Sequence, residues 1–304
     1  TMDVTDNRVG PLGSFSDGQS KSYPTNFSCA NVIFGDGATS AGYTYDNTAA
    51  VDGTDAFANA TVSVTCWKPP VVKTANTSYN RVFDYDIVKT ADPLEQTIYF
   101  TDTATFGYTL QVTKFVKEEN GFAVGGTIVI DNPAPIDANL ASIEDILPGA
   151  ANMTIACSPD DTAPYTVPAG GQLVCTYNAG LPDKSFRINE ARVTMTNGTV
   201  VSNTADVNFD QAVVTPINDS ADITDTYFSQ LWTVGGDTQT SYSQSFTCEG
   251  ATFDEQSGFF RKMLTNVAAV LLPGGDTDSA TVTLNCYQLG LVVQKTATPT
   301  ELPE

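Results

Sequence analysis

The residue types that carry most enzyme chemistry are absent from this sequence or scattered through it. Its 304 residues include no histidine, which removes the commonest general base, the commonest metal ligand and every Ser-His or Cys-His nucleophile pair. Acidic side chains occur close together at Asp52/Asp55, Asp160/Asp161 and Asp276/Asp278. Each pair lies in a predicted turn, where aspartate commonly caps its own backbone. We therefore predict no enzyme and no catalytic, cofactor-binding or metal-binding residue, with Ca²⁺ at these turns as the alternative.

The charge balance excludes several kinds of partner. The chain has 14 Lys+Arg and 35 Asp+Glu residues, which gives a net charge of −21. Binding to nucleic acid needs clustered basic residues that neutralise phosphates, so we expect no nucleic-acid partner. A membrane-spanning helix needs about 18 or more consecutive apolar residues. The sequence has no such run, and we expect no membrane insertion by this segment.

An internal duplication organises the chain into modules. Three blocks near the N-terminus recur about 220 residues later: Ser22–Cys29 as Ser241–Cys248, Asn47–Val51 as Asn266–Val270, and Ala60–Trp67 as Ala280–Tyr287. We predict a module A at 1–72, a larger module B at 73–212, a copy of module A at 213–290, and a C-terminal strand or tail at 291–304. Tandem modules that contact only their neighbours form elongated arrays.

The alternation of side chains predicts an all-β protein held by disulfides. In Thr61–Cys66 and Thr281–Cys286, apolar and polar residues alternate strictly, as in half-buried strands. Six cysteines pair by position as Cys29–Cys66, Cys157–Cys175 and Cys248–Cys286, each cysteine lying on the inward face of a predicted strand. Buried free thiols are the alternative. Disulfides indicate an oxidising, extracellular location.

Six Asn-x-Ser/Thr sequences are possible glycosylation sites on this extracellular protein. They begin at Asn26, Asn59, Asn76, Asn152, Asn197 and Asn218.

The order of several short motifs resembles a known class of proteins. The motifs include Val4-Thr-Asp6 and Ile223-Thr-Asp225, the Lys-Thr-Ala sequences at Lys73 and Lys295, and Gly126–Pro133. Together they resemble the tandem Ig-like surface repeats of envelope, S-layer-type and adhesin-type proteins of bacteria and archaea. The resemblance implies Ig-like β-sandwich modules with a structural or adhesive role, and it brings no catalytic residues.

Two functions follow as competing hypotheses. The first is a structural subunit of an extracellular filament or cell-surface stalk, with copies of itself as partners. The second is a cell-surface adhesin that binds a carbohydrate or protein receptor, for which the unmatched insert Phe253–Met263 is the best candidate surface. Other surface proteins or glycans are possible further partners of either.

Two features suggest how chains or strands become joined. The segment with Leu289, Leu291 and Val293 is strand-like and is a candidate donor strand for head-to-tail polymerisation; the alternative is that the chain was trimmed from a longer tandem protein. Lys89 and Asn203 are the residue types of the Lys–Asn cross-links found in some surface pilins, but the sequence identifies no partner acid for them.

Overall fold

The protein is an all-β chain. We describe it from a computed structural model, which covers residues 1–159, 161–228, 231–290 and 295–297. These residues contain twenty strands and no helix. In chain order the strands are β1 (Met2–Asp6), β2 (Gly10–Phe15), β3 (Ser40–Val51), β4 (Phe57–Trp67), β5 (Val71–Lys73), β6 (Asn76–Asp92), β7 (Glu95–Tyr99), β8 (Thr103–Asp131), β9 (Ala138–Ile146), β10 (Ala151–Ser158), β11 (Tyr165–Val167), β12 (Gln172–Gly180), β13 (Arg187–Met195), β14 (Val200–Val207), β15 (Val213–Ile217), β16 (Ala221–Asp225), β17 (Trp232–Val234), β18 (Thr238–Thr247), β19 (Phe259–Val270) and β20 (Thr277–Tyr287).

The chain divides into two compact units, and the first contains residues 1–78 and 121–213. Its N-terminal sheet has the strand order β2-β1-β3-β4, and a second sheet has the order β11-β9-β13-β14. Residues 123–131 of β8 pair with β12, and residues 128–130 of β8 also pair with β5. The second sheet and this β8 group enclose one apolar core that includes Ile128, Leu140, Leu173 and Val193.

The second unit contains residues 79–120 and the chain from 214 onward. Residues 103–112 of β8 pair antiparallel with β18 and lie beside β6. The facing sheet has the order β17-β16-β19-β20-β7. Side chains of both sheets share two apolar cores, one with Leu110 and Ile223 and one with Phe106, Val282 and Leu284.

The three predicted modules do not coincide with these two units. Residues 79–120, which the repeat analysis assigns to module B, group with the copy of module A. The physical reason is the length of β8, which runs unbroken for 29 residues. Its first part pairs with β18 and its last part with β12, so one strand contributes to both units.

Three disulfides connect the pairs that the sequence predicts. They are Cys29–Cys66, Cys157–Cys175 and Cys248–Cys286. Cys157 and Cys175 lie directly opposite each other on β10 and β12, so that bridge spans neighbouring strands. Among the residues that the structure describes, no helix is long and apolar enough to cross a bilayer.

Candidate functional site

A fully buried ion pair lies in the first unit. Lys73 on β5 donates from Nζ to Asp145 Oδ2 on β9 at 2.7 Å, and neither side chain is exposed. The ammonium also lies 3.8 Å from the ring centre of Tyr177 on β12. Burying a carboxylate and an ammonium costs several kcal/mol per ion, which their attraction repays only in good geometry. Such a pair is therefore a candidate for chemistry as well as for structure.

A buried asparagine lies beside this ion pair. Asp145 is directly opposite Ala191 in the ladder of β9 and β13, and Asn189 precedes Ala191 by two residues, so it points to the same face. Asn189 is fully buried, and neither its amide nitrogen nor its carbonyl oxygen has a hydrogen bond. An unsatisfied buried polar group costs about 1–3 kcal/mol, so an asparagine here needs an explanation.

Tyr177 connects the lysine and the asparagine. Burial raises the pKa of the Tyr177 hydroxyl to about 12, and the neighbouring Asn189 amide opposes this rise. The hydroxyl donates to the carbonyl of Thr74 at 2.6 Å. Gly126 permits this close approach, because a Cβ there would lie 2.2 Å from the Thr74 carbonyl oxygen. We call Lys73, Asp145, Tyr177 and Asn189 the Lys73 cluster.

Burial disfavours the charged form of Lys73 in this cluster. It lowers the pKa of Lys73, and the hydrogen bond that Lys73 donates to Asp145 opposes that shift. A neutral lysine amine is a nucleophile, whereas the ammonium is not. Transfer of a proton from Lys73 to Asp145 would give an amine and a carboxylic acid, both uncharged, which suits an apolar site.

The second unit contains the same four residue types around a buried ion pair. Lys89 on β6 and Asp225 on β16 form an ion pair whose side chains are both fully buried. Lys89 Nζ lies 3.1 Å from the Tyr242 hydroxyl, which donates to Asp225 Oδ1 at 2.6 Å. Asn266 donates its amide to the same hydroxyl at 2.5 Å, and its carbonyl oxygen has no hydrogen bond. We call Lys89, Asp225, Tyr242 and Asn266 the Lys89 cluster.

The positions of these residues in their sheets are equivalent. Asp225 is opposite Ala268, and Asn266 precedes that alanine by two residues, as Asn189 precedes Ala191. In both clusters a lysine from another strand forms an ion pair with the aspartate. Because the two units contain the same four residue types, with the aspartate and the asparagine in equivalent register, the arrangement is not an accident of one core.

A third cluster, in the N-terminal sheet, contains the acid, the asparagine and the tyrosine. Asp6 is opposite Ala49, Asn47 precedes that alanine by two residues, and the Asn47 carbonyl oxygen is buried without a hydrogen bond. Tyr23 donates to Asp6, and Asn47 donates to the Tyr23 hydroxyl at 2.9 Å. The bond from Tyr23 lowers the pKa of Asp6. Within the described part of the chain, no lysine pairs with Asp6. We call Asp6, Tyr23 and Asn47 the Asp6 cluster.

Several of the predicted turn acids accept hydrogen bonds, and Asp278 lies within β20 rather than in a turn. Asp276 and Asp278 accept hydrogen bonds from the backbone N–H groups of Ile87 and Lys89, so they hold β6. Asp52 accepts a hydrogen bond from Thr5. Asp160 lies outside the described residues. Among the described residues, no group of three or more His, Cys, Asp or Glu side chains is placed to hold a metal ion.

Several other predicted residues are located by the structure. Lys89 does not pair with Asn203 as the sequence suggests, since Lys89 is buried against Asp225 and Asn203 is exposed on β14. In the insert Phe253–Met263, Phe253 packs against Phe100 and Phe260.

Of the proposed donor segment, Leu289 is exposed, while Leu291 and Val293 lie outside the described residues. Five sequon asparagines are exposed and one, Asn218, is partly buried.

Sequence reasoning missed the three clusters, although a signal for them is present. An apolar-x-Asp sequence occurs at Val4–Asp6, Ile143–Asp145 and Ile223–Asp225. Each is followed 41–44 residues later by Asn-x-Ala, at Asn47, Asn189 and Asn266. Lys-Thr-Ala occurs at Lys73, Lys89 and Lys295. The three short patterns become informative only when they are considered together.

Comparison with known proteins does not identify a relative. Neither protein-family models nor curated proteins match the chain.

Proposed function

We propose that the protein is a structural component of an extracellular stalk or filament at the cell surface, built from Ig-like β-sandwich modules that are locked by internal Lys–Asn amide bonds. The observation that carries this proposal is the recurrence, in both units, of a buried Lys–Asp pair beside a buried asparagine with an unsatisfied carbonyl oxygen. A bond that closes a module covalently is useful where the module bears tension.

The bond-forming step balances without any added reagent. Lys73 Nζ transfers a proton to Asp145 and attacks Cγ of Asn189, while the protonated Asp145 donates to the developing oxyanion. The C–N bond to the asparagine nitrogen then breaks, and that nitrogen leaves as ammonium after it receives, through Asp145, the two protons that the lysine ammonium gives up. The products are one secondary amide and one ammonium ion, so the protein loses the mass of one ammonia and Asp145 is regenerated as a carboxylate.

The Lys89 cluster supports the same step. Lys89 Nζ and Asn266 Nδ2 both lie within hydrogen-bond distance of the Tyr242 hydroxyl, so amine and carboxamide are held close together. Positioning of this kind replaces a bimolecular encounter by an intramolecular one. Product formation also removes the buried charge from the lysine, and with it the desolvation cost of the ion pair.

The rest of the chain supports a structural role. Disulfides, a net charge of −21 and the absence of histidine fit a protein that withstands an oxidising exterior and performs no turnover. The internal repeat fits a tandem array. The paired sheets around common cores support the sandwich description of the second unit and of the part of the first unit that follows residue 70.

Single-molecule extension tests whether the protein bears tension through these bonds. The chain is pulled from its two ends with its disulfides reduced. The Lys89–Asn266 bond would keep about 175 residues from extending, a loss of roughly 600 Å at about 3.5 Å per residue. The variant Asn189→Leu/Asn266→Leu removes both acceptors and should extend by that additional length.

The matched control is Asn203→Leu, which changes an exposed asparagine and should extend like the natural chain. A natural chain that extends as far as the double variant would refute the tension-bearing role.

A further inference from the structure

The N-terminal sheet has an uncovered apolar face. A hollow of about 270 Å³ opens above the Asp6 cluster, lined by side chains that include Tyr23, Phe27, Asn47 and Val62. Val62 is 42% exposed, whereas Val282, its counterpart in the copy of module A, is 0% exposed. The same strand sequence is therefore open in one copy and covered in the other.

Residues 79–120, which we call the lysine hairpin, cover that face in the copy. They contain Lys89 on β6 and the paired part of β8, and Phe106 and Tyr108 of β8 belong to the same core as Val282. The hairpin places Lys89 on Asp225 and Tyr242. The copy thus shows what kind of segment covers this face when it is not open.

Two backbone edges are also paired in the copy and open in the N-terminal sheet. Tyr242 and its neighbours form β18, which pairs with β8 of the lysine hairpin; the counterpart residues 19–28, all of them described, form no strand. In the copy, β7 of the hairpin pairs in parallel with β20. The counterpart of β20 is β4, which is the last described strand of its sheet. Open edges of this kind recruit strands.

We infer that the open face of the N-terminal sheet is a docking site for a lysine-bearing β-hairpin that lies outside residues 1–304 and has the chemistry of residues 79–120. The hairpin would cover Val62, pair with residues 19–28, and pair with the free edge of β4. Its lysine would lie on Asp6, the position that Lys89 has on Asp225. The Asp6 cluster contains every other residue of the Lys89 cluster, so the hairpin supplies what is missing.

A covalent bond follows at this site if the chemistry proposed above is correct. The incoming lysine ammonium gives a proton to Asp6, and the resulting amine attacks Cγ of Asn47. A new amide forms, and the Asn47 nitrogen receives the two protons given up by the lysine and leaves as ammonium, which regenerates the Asp6 carboxylate. The hairpin and the N-terminal sheet would then be joined by one amide bond, which extends the proposed function to this open face.

One difference between the two copies of module A affects how tightly a hairpin can bind to the N-terminal sheet. Asp276 and Asp278 accept hydrogen bonds from the backbone of the hairpin, and the N-terminal counterparts, aligned on the Ala60/Ala280 repeat, are Ala56 and Ala58. Docking at the N-terminal face therefore lacks two hydrogen bonds that the copy has.

The experiment adds a synthetic peptide of residues 79–120 to the intact protein and measures docking separately from bond formation. Hydrogen exchange, followed by mass spectrometry, reports docking as new protection of residues 19–28. A denaturing gel reports a covalent adduct. We expect protection at residues 19–28 and an adduct lighter than the sum of its parts by one ammonia.

Variants separate the two steps. Asn47→Leu should abolish the adduct, and a Lys89→Met peptide should do the same, while hydrogen exchange reports the docking of each variant separately. Val62→Ala should weaken docking roughly tenfold, because burial of a valine side chain contributes about that factor. Ser63→Ala, on the neighbouring outward-facing position, is its control and should have no effect.

The hydrogen-exchange results test the docking site independently of whether an amide bond forms. Absence of protection at residues 19–28, or protection that Val62→Ala leaves unchanged, overturns the docking site. Protection without an adduct keeps the docking site and counts against the Lys–Asn chemistry of the proposed function instead. The intact mass of the protein, which reports the two internal bonds, shows independently whether that chemistry occurs at all.

Discussion

Substitution of Asn189 by leucine distinguishes a covalent role of this residue from a packing role by the sign of the change in stability. Both polar atoms of Asn189 are buried without hydrogen bonds. If the residue only fills space, leucine has a similar shape and removes an unsatisfied polar group. The variant would then be as stable as the natural protein or more stable, by about 1–3 kcal/mol. If Asn189 is bonded to Lys73, the variant loses a cross-link.

The size of the loss follows from the loop that the bond closes. Lys73 and Asn189 are about 115 residues apart, and in the chain-entropy treatment of cross-links such a loop contributes about 5 kcal/mol to stability. The first unit has about 170 residues, for which 1 kcal/mol corresponds to a shift in Tm of about 2–4 °C. Asn189→Leu should therefore lower the Tm of this unit by about 10–20 °C.

The assay is thermal unfolding with the disulfides intact, combined with the intact mass of each variant. Asn203→Leu is the matched control, since Asn203 lies directly opposite Ala191 on the neighbouring strand but is exposed. Its Tm should change little, because exposed substitutions usually stay within about 0.5 kcal/mol. A Tm of Asn189→Leu equal to or above that of the natural chain would refute the cross-link in the first unit.

Three further predictions follow from the packing of the two units. In an alkaline titration followed by tyrosinate absorbance, Tyr108 and Tyr177 should ionise near pH 12, because burial raises the pKa of each to about 12. The folded state therefore retains these protons at a pH where the unfolded chain loses them. Their contribution to the free energy of unfolding should be fully present below about pH 10 and should fall from there toward pH 12. In chemical unfolding, Val282→Ala should lower the free energy of unfolding by about 2 kcal/mol and Val62→Ala should leave it almost unchanged, because only Val282 is buried. Equal losses for the two variants would contradict the open N-terminal face. Gly126→Ala should displace the backbone next to Lys73 and so prevent the Lys73–Asn189 bond. The intact mass, after correction for the substitution, should then be higher than that of the natural chain by one molecule of ammonia.

The sequence predicts the local structure of this protein well because that information is local. Strict alternation in Thr61–Cys66 identifies a strand, and the repeated cysteine spacing identifies the disulfides that the structure contains. The division into units is different. In β8 the alternation is clear from Thr103 to Val112 and breaks at the polar run 117–120, but this break does not indicate which strands pair on either side of it. Partner choice depends on distant strands, so the change from β18 to β12 is not visible in the sequence.

The clusters were hidden for a related reason. Lys89 and Asp225 are 136 residues apart in the chain, and Lys73 and Asp145 are 72 apart. A lysine on one strand and an aspartate on another become partners only through sheet topology. The register rule that places Asn266 two residues before the alanine opposite Asp225 is simple once the pairing is known. Without that pairing, Asn203, which also precedes an alanine by two residues, is an equally good candidate.

The intact mass of the full chain tests the central claim most directly. The protein is produced without glycosylation, its cysteines are reduced, and it is denatured before mass spectrometry. The account predicts a mass below that of the sequence by two molecules of ammonia, with branched peptides that join Lys73 to Asn189 and Lys89 to Asn266 after digestion. A mass equal to that of the reduced sequence, with all four residues recovered in linear peptides, would contradict it.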